Sequence, residues 1–161
     1  MQQLSDIFEK IFIVLHNTHA VSKVIETAQV VYGLGFNNFI VSKAEGSAAQ
    51  SGVPEANKIA MKMNRSFMIL PGLKDVISLL EVEKPLMITS PVLTKERIDI
   101  HDLTERIKNN EKVVIVLSGS NSSFSRKEMD LGDCFSLEAR IDIGPAGTIA
   151  IILHGLLGQL N

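Results

Sequence analysis

The chain has 161 residues, of which 45% are hydrophobic and 21% charged, a composition typical of one folded globular domain. No apolar run approaches the length of a membrane span, and the opening MQQLSDIFEK lacks the pattern of a secretory signal, so we expect a cytoplasmic protein with no membrane association. The formal net charge of -2 argues against unspecific binding to nucleic acid, and the single Cys134, which cannot form an internal disulfide, is expected to be buried and inert.

Short β-branched apolar runs alternate along the chain with longer segments of helical period, which is typical of an α/β sandwich. Continuous apolarity within the runs predicts strands that are buried on both faces, as in a largely parallel sheet. We therefore expect a single domain over residues 1–161, built as a three-layer α/β sandwich around a mostly parallel sheet. About six strands are predicted, at residues 11–15, 39–41, 66–70, 85–89, 113–117 and 136–143.

Apolar residues at helical spacing predict crossover helices at 22–31, 54–63, 73–80 and 102–109, with Asp102 as the N-cap of the last. A final helix is predicted at 146–160, where Ile, Leu and Ala leave little polar surface. A helix of this kind needs apolar contacts on both sides, which points to a second apolar surface such as another subunit.

Loops that follow the strands are the first place to look for a ligand, because open α/β sheets bind ligands at the carboxyl ends of their strands. Small residues in such loops allow a ligand to approach the backbone, whose amides can bind an adenine or a carboxylate. The four candidate loops are Asn17-Thr18-His19, Thr89-Ser90-Pro91, Ser118-Gly119-Ser120 and Gly144-Pro145-Ala146-Gly147-Thr148.

Two of these loops have more than one interpretation. Residues 144–148 precede the apolar terminal helix, so their amides form either a cradle for an anion or cofactor or a tight turn capped by Thr148. The serine-rich segment 118–125 (SGSNSSFS) is either a ligand loop or a plain surface loop. His16 and His19 would need an orienting carboxylate or a third ligand for acid-base or metal chemistry, and none is evident in the sequence.

Three stretches together resemble the SPOUT superfamily of S-adenosylmethionine-dependent RNA methyltransferases, and its SpoU-type branch most of all. VLHNTHAVSKVIETAQVVYGLGF (14–36) resembles the opening strand, loop and helix of that branch. VVIVLSGSNSSFSRKEMDLGD (113–133) resembles its glycine-rich cofactor loop, and ARIDIGPAGTIAIILHGLL (139–157) resembles its closing strand, loop and terminal helix.

The resemblance implies a C-terminal trefoil knot, a homodimer built on the first and terminal helices, S-adenosylmethionine as cofactor, and structured RNA such as tRNA or rRNA as substrate. No metal site is implied. Carried over residue by residue, the cofactor contacts fall on Thr89, Leu117, Ser118, Gly119, Ile141, Ile143, Gly144, Ala146, Gly147 and Thr148.

The catalytic positions of the SpoU-type pattern are altered in this chain. Ala20 and Glu26 stand where an Asn and an Arg are usual, and Ser120 stands where a Glu is usual, while Thr148 lies near the usual Asn. A basic residue, Arg126 or Arg140, would have to replace the missing Arg, and Asn17 completes the candidate catalytic set.

The same stretches also resemble a group of short archaeal proteins labelled as RecB-family nucleases. Nucleases of that type hold a divalent metal with an Asp and a Glu-x-Lys on adjacent strands. In this chain the nearest pattern, EVEK at residues 81–84, lies at a predicted helix end and lacks a partnering Asp. A metal-dependent nuclease and a non-catalytic module that binds RNA or protein therefore remain the alternatives to a methyltransferase.

Overall fold

Six strands form one sheet in the computed structural model of the chain, which describes residues 4–161. They lie in the order β3-β2-β1-β5-β4-β6, and the five pairings that join them are all parallel. The predicted parallel sheet is thus confirmed. In chain order the strands are Ile11–Thr18 (β1), Asn38–Ala44 (β2), Ser66–Leu70 (β3), Leu86–Ile88 (β4), Val113–Ser118 (β5) and Asp133–Phe135 (β6).

Helices cover both faces of this sheet. In chain order they are Leu4–Phe8 (α1), Val21–Gly33 (α2), Val53–Met63 (α3), Leu73–Leu80 (α4), Ile100–Lys108 (α5), Arg126–Met129 (α6) and Pro145–Leu160 (α7). A π-helical turn, Ala48–Gly52, leads into α3. Helices α2, α3, α5 and α7 bury apolar side chains against one face, while α4 and Met129 of α6 pack on the other. This is the three-layer sandwich expected from the sequence.

The sixth strand differs from its prediction. Residues 136–143 were expected to pair with the sheet, but the strand is Asp133–Phe135, and Ser136 forms only an isolated bridge with Arg97. Strand β4 ends at Ile88, and the Thr89 amide after it makes a last hydrogen bond to the Phe135 carbonyl at 2.7 Å. The Ser136 amide instead donates to the Glu96 carbonyl, and the Ser136 carbonyl accepts from the Ile98 amide. Residues 137–144 consequently follow an irregular path.

Two smaller predictions are also wrong. Strand β3 was expected to be buried on both faces, but it lies at the edge of the sheet, where Met68 and Ile69 are exposed. The N-cap of α5 is Asp99 instead of Asp102, because the Asp99 carboxylate accepts a hydrogen bond from the Asp102 amide at 3.1 Å. Asp102 therefore lies inside the first turn.

The terminal helix α7 buries one face and exposes the other. It packs against α2 and α5, with Ile149, Ile152 and Leu156 fully buried. On the opposite side Ile151 is 54% exposed. The second apolar contact predicted from the sequence is therefore not made within a single chain. Across residues 4–161, none of the helices combines the length and apolarity needed to cross a bilayer.

Candidate ligand-binding site

Three loops meet at the carboxyl edge of the sheet, where β5, β4 and β6 lie side by side. They are residues 89–99 after β4, 119–125 after β5 and 136–144 after β6. Parallel strands deliver the chain to the same edge of the sheet, so segments distant in sequence come together there. The start of α7 closes the same edge, directly after the third loop.

Two small hollows lie between these loops and share Ile88, Thr89, Asp142 and Thr148. One is completed by Pro91, Leu137, Ala139, Ile141 and Ile143, and the other by Leu117, Ser118, Gly144 and Pro145. Their volumes are about 10 and 20 Å³, which is room for a single water molecule each. Ile141 and Ile143, which line one wall, are 67% and 45% exposed.

A larger cleft of about 370 Å³ opens beside the second hollow and shares Ser118, Asp142, Gly144 and Pro145 with it. Its volume is in the range of small-molecule sites. The remaining walls come from Lys23 of α2 and from Ser120 and Asn121 of the serine-rich loop. The second hollow, which combines Ile88 and Leu117 with polar groups, therefore continues into a polar, charged outer cleft.

Most residues predicted to contact a cofactor are brought together at this edge. Thr89, Leu117, Ser118, Ile141, Ile143, Gly144 and Thr148 line the hollows or the cleft. Gly147 lies behind them, where a Cβ atom would be 3.4 Å from the Ile143 side chain. Ala146 is half-buried in the first turn of α7. The serine-rich turn and the Gly-Pro-Ala-Gly turn thus converge in space.

Gly119 holds the serine-rich loop against the end of β1. A Cβ atom at this position would lie 2.6 Å from the Thr18 Cβ and 2.9 Å from the Asn17 carbonyl oxygen, so no side chain fits. The Gly119 amide donates to the His16 carbonyl at 2.7 Å. The close approach explains why glycine is needed here, and it fixes where the loop leaves the sheet.

Lys23 is a site residue that the sequence analysis missed. It is half-buried on α2, and its ammonium group donates to the Gly119 carbonyl and to Asn121 Oδ1, both at 2.9 Å. The only sequence signal was its position one turn before Glu26, on the helix that follows β1. Asp142 was missed too, although its neighbours Ile141 and Ile143 were among the predicted contacts.

The three residues predicted as catalytic do not form the walls of this site. Arg126 is exposed at the start of α6, and Arg140 is exposed in the irregular segment after β6. Asn17 is half-buried near the end of β1 and has a positive φ of 60°. The residues lining the hollows and the cleft do not include them.

A buried histidine lies directly below the serine-rich loop, on the opposite face of the sheet from the hollows. His16 is 2% exposed; its Nδ1 is 2.8 Å from Ser42 Oγ, and its Nε2 is hydrogen-bonded to Glu128 of α6. Glu128 also accepts from the Ser125 amide at 2.8 Å, as part of a capping box that starts α6. The orienting carboxylate that was not evident in the sequence is therefore Glu128.

The protonation of this pair follows from its surroundings. Burial lowers the pKa of His16 and outweighs the opposing effect of Glu128, so the ring is neutral at pH 7. Partial burial acts to raise the pKa of Glu128, but hydrogen bonds from Ser125 and His16 outweigh it and lower that pKa. An ionised Glu128 only accepts, so His16 carries its proton on Nε2, and Ser42 donates its hydroxyl proton to Nδ1.

This Ser-His-Glu chain resembles a nucleophilic triad in its connectivity only. Ser42 and His16 are both buried, so a substrate cannot reach the serine hydroxyl. The network instead ties α6 and the serine-rich loop to β1 and β2. Phe124 of the same loop stacks on the His16 ring with centroids 6.4 Å apart, which adds an apolar contact to the same attachment.

Carboxylates elsewhere bear on the nuclease alternative. Residues 81–84 connect α4 to β4 at the amino edge of the sheet, with Glu81 in the left-handed C-cap position of α4. They therefore lie at the opposite edge from the hollows and the cleft. Among residues 4–161, no group of three or more His, Cys, Asp or Glu side chains is placed to hold a metal ion.

The fold is similar to those of several solved methyltransferase structures. A protein of Bordetella pertussis Tohama I described as a probable methyltransferase superposes with a TM-score of 0.74 at 13% identity, over 98% of each chain. The SpoU methyltransferase AviRb of Streptomyces viridochromogenes, in complex with AdoMet, superposes with a TM-score of 0.64 at 13% identity, over 92% of this chain and 59% of that one. The TrmH/SpoU tRNA modifying enzyme of A. aeolicus gives 0.63 at 10% identity, over 96% and 79%.

Sequence comparison gives names of a different kind. Residues 46–155 match the family model described as RecB-family nuclease (DUF2122). A Methanocaldococcus jannaschii protein, provisionally named as a type II restriction enzyme, is 32% identical over 90% of this chain and 94% of its own length. An Aeropyrum pernix protein with a name of the same kind is 34% identical over 89% and 90%. The chain belongs to the RecB-family nuclease (DUF2122) family, and its fold is that of the SpoU-type methyltransferases.

Proposed function

We propose that this protein binds S-adenosylmethionine at the carboxyl edge of β4 and β5. The observation that carries the proposal is the convergence of most of the expected cofactor contacts on two hollows and an adjoining cleft at this edge. The Ile88 and Leu117 side chains suit the flat base of an adenosyl ligand, and the polar cleft suits the rest of it. The AdoMet complex of a protein with the same fold supports the proposal.

The chemistry of the lining residues fits such a ligand. Leu117, Ile141 and Ile143 supply apolar walls for the base, while Thr89 and Thr148 carry hydroxyl groups on the inner wall. Ser118 and Gly144 line both the inner hollow and the outer cleft, where a ribose would pass between them. Gly119, Ala146 and Gly147 complete the contact set by keeping the two turns close to the site.

Ligand entry requires residues 137–144 to move outward. The inner hollows have volumes of about 10 and 20 Å³, far below the volume of an adenine base. The segment has no regular secondary structure, and its Ile141 and Ile143 side chains are largely exposed. We expect these two side chains to close over the ligand and become buried, which would offset part of the cost of ordering the segment.

The activity we propose is methyl transfer to a structured RNA, such as a tRNA or rRNA. S-adenosylmethionine supplies a sulfonium-bound methyl group when it is bound. Arg126, Arg140 and Asn17 are the candidates for orienting the RNA. This chain has Ala20, Glu26 and Ser120 where the SpoU-type pattern has Asn, Arg and Glu. Its catalytic residues would therefore differ from those of the SpoU-type enzymes.

The same proposal includes the assembly of the protein. A homodimer would cover the exposed face of α7. Residues 1–161 would form one domain, whose last third would form a trefoil knot. The protein would act in the cytoplasm. The knot would involve α7, which follows the edge strand β6 and returns to pack on α2.

Isothermal titration with S-adenosylmethionine and S-adenosylhomocysteine tests the proposal directly. We expect saturable heat from both compounds and slower amide hydrogen exchange in residues 137–144 when either is present. A Gly119→Ala variant should weaken binding, because its Cβ atom would displace the serine-rich loop from Thr18. Absence of binding at millimolar ligand would contradict the proposal.

A nuclease is the second candidate, and the restriction-enzyme names of the sequence relatives favour it. It is tested by incubating the protein with duplex DNA or RNA and Mg²⁺ or Mn²⁺. Metal-dependent cleavage would establish that activity, and it must be lost in Glu83→Gln or Asp133→Asn if the chain itself is responsible, because both side chains line one cleft at the amino edge of the sheet. Cofactor binding without turnover of any RNA would instead indicate a non-catalytic binding module.

A further inference from the structure

We propose that the cleft between α2 and the two turns is a subsite for a zwitterionic α-amino acid group, with Lys23 binding its carboxylate and Asp142 its ammonium. The inference rests on the proposed function, because the amino acid group would be the methionine part of the adenosyl ligand. It assigns to Lys23 and Asp142 a role in ligand selection.

The Lys23 ammonium group is positioned to receive an anion. It carries three donors, and the oxygens that it contacts, Gly119 O and Asn121 Oδ1, belong to neutral groups. A half-buried positive charge that is solvated by neutral oxygens binds a carboxylate more strongly than a fully hydrated lysine does, because less water is displaced. The third donor remains to meet a ligand in the cleft that Lys23 lines.

Asp142 supplies the opposite charge at the junction of the site. It lines the cleft and both inner hollows, so a ligand that extends from one to the other must pass it. Its Oδ1 accepts from the Gly144 amide at 2.8 Å, which orients the carboxylate and leaves Oδ2 for a ligand. A primary ammonium group is a suitable donor to that oxygen.

The pair of charges selects among ligands. A phosphodiester would be attracted by Lys23 but repelled by Asp142, and a simple cation would meet the reverse. A group that carries one charge of each sign and no net charge is complementary to both. The volume of about 370 Å³ leaves space for an amino acid group beyond the inner hollows.

The test compares S-adenosylhomocysteine with 5′-methylthioadenosine, which retains the adenosine and the thioether but lacks the amino acid group. We expect Lys23→Met and Asp142→Asn to weaken S-adenosylhomocysteine binding about tenfold to a hundredfold, the loss typical of a charge-assisted hydrogen bond. Binding of 5′-methylthioadenosine should be unchanged in Lys23→Met, whereas Asp142 also lines the hollows proposed for the adenosine, so Asp142→Asn must weaken S-adenosylhomocysteine binding more than 5′-methylthioadenosine binding. Lys23→Arg should retain most of the affinity for S-adenosylhomocysteine.

Lys58→Met is the matched control, since Lys58 lies on α3 and pairs with Glu55 at the surface. If Lys23→Met weakens both compounds equally, Lys23 only supports the loop, and the subsite is overturned while adenosyl binding stands. If neither variant affects either compound, the subsite is likewise overturned. If the unaltered protein binds neither compound, the proposed function itself fails, and the subsite with it.

Discussion

His16 is the residue whose environment departs furthest from what its place in the sequence indicates. It ends an apolar run and is followed by Asn17, which is typical of an exposed loop side chain, yet it is 2% exposed and has a partner on each ring nitrogen. A buried neutral histidine with both nitrogens satisfied links three elements at once. It therefore contributes to the position of the serine-rich loop without touching a ligand.

This environment predicts a pH-dependent stability. In the folded chain burial holds the pKa of His16 below its ordinary value of 6.5, so on acidification the unfolded chain binds this proton first. The contribution of neutral His16 is fully present above pH 6.5 and is lost as the pH falls from 6.5 through the folded-state pKa. Glu128, whose pKa is also lowered, loses its contribution below its ordinary value of 4.5. Both effects reduce stability in acid.

Urea unfolding between pH 7.5 and pH 5 measures the effect. We expect the free energy of unfolding to fall over this range in the unaltered protein and to fall less in His16→Gln, which removes the titrating ring. His101→Gln, at an exposed position of α5, is the control and should keep the slope of the unaltered protein. A slope that His16→Gln leaves unchanged would show that the pH dependence arises elsewhere.

At the scale of elements, the start of α5 shows how local hydrogen bonding places a helix boundary. Both Asp99 and Asp102 have side chains that can cap a helix, and the sequence pattern predicted Asp102 as the N-cap. The structure selects Asp99, because its carboxylate lies opposite the Asp102 amide and Leu103 then begins the buried face. The choice depends on where the preceding segment is fixed by the Ser136 backbone, which is a tertiary contact.

Substituting the two aspartates separates these interpretations. Asp99→Ala should reduce the free energy of unfolding by about 1 kcal/mol, the usual cost of losing an N-cap. Asp102→Ala should cost only about 0.3 kcal/mol, because it loses a favourable interaction with the helix dipole and no capping hydrogen bond. Urea unfolding at pH 7 measures both. If Asp102→Ala lowered the free energy of unfolding more than Asp99→Ala does, Asp102 would be the N-cap, as predicted from the sequence.

For the whole molecule, the exposed side of α7 is the clearest sign of an assembly. Ile151 is 54% exposed on a helix whose other face is packed on α2 and α5. His154 and Gly158 are exposed and follow it at helical spacing along the same side, which gives a surface that another helix could approach. A two-fold axis through this side would pair the stripe with its own copy.

Ile151→Asp should therefore convert a dimer into a monomer, because it places two carboxylates in an apolar interface. Sedimentation equilibrium measures the mass, and we expect about half that of the unaltered protein at micromolar concentration. Met61→Asp is the control, at a still more exposed apolar residue of α3 (72%), and it should leave the mass unchanged. An unaltered protein that sediments as a monomer would remove the dimer from the proposal.

The apolar periodicity of the sequence by itself determined the fold class, the strands up to β5 and the convergence of two small-residue turns at the carboxyl edge. This information is local, because alternating buried runs and amphipathic segments have few ways to pack. The location of the two turns rich in glycine and serine was predictable for the same reason. Their position after buried strands already placed them at the carboxyl edge of the sheet, where the proposed site lies.

Only the tertiary structure decided which side chains meet. His16 and Glu128 are separated by 112 positions, and Lys23 reaches a loop 96 positions away, so neither pair has a local signal. The sixth strand was misplaced because pairing beyond Phe135 depends on the length of β4, a neighbour in space and not in sequence. Contacts of this kind depend on complementary positions across the whole fold, which a single chain's pattern of residues does not specify.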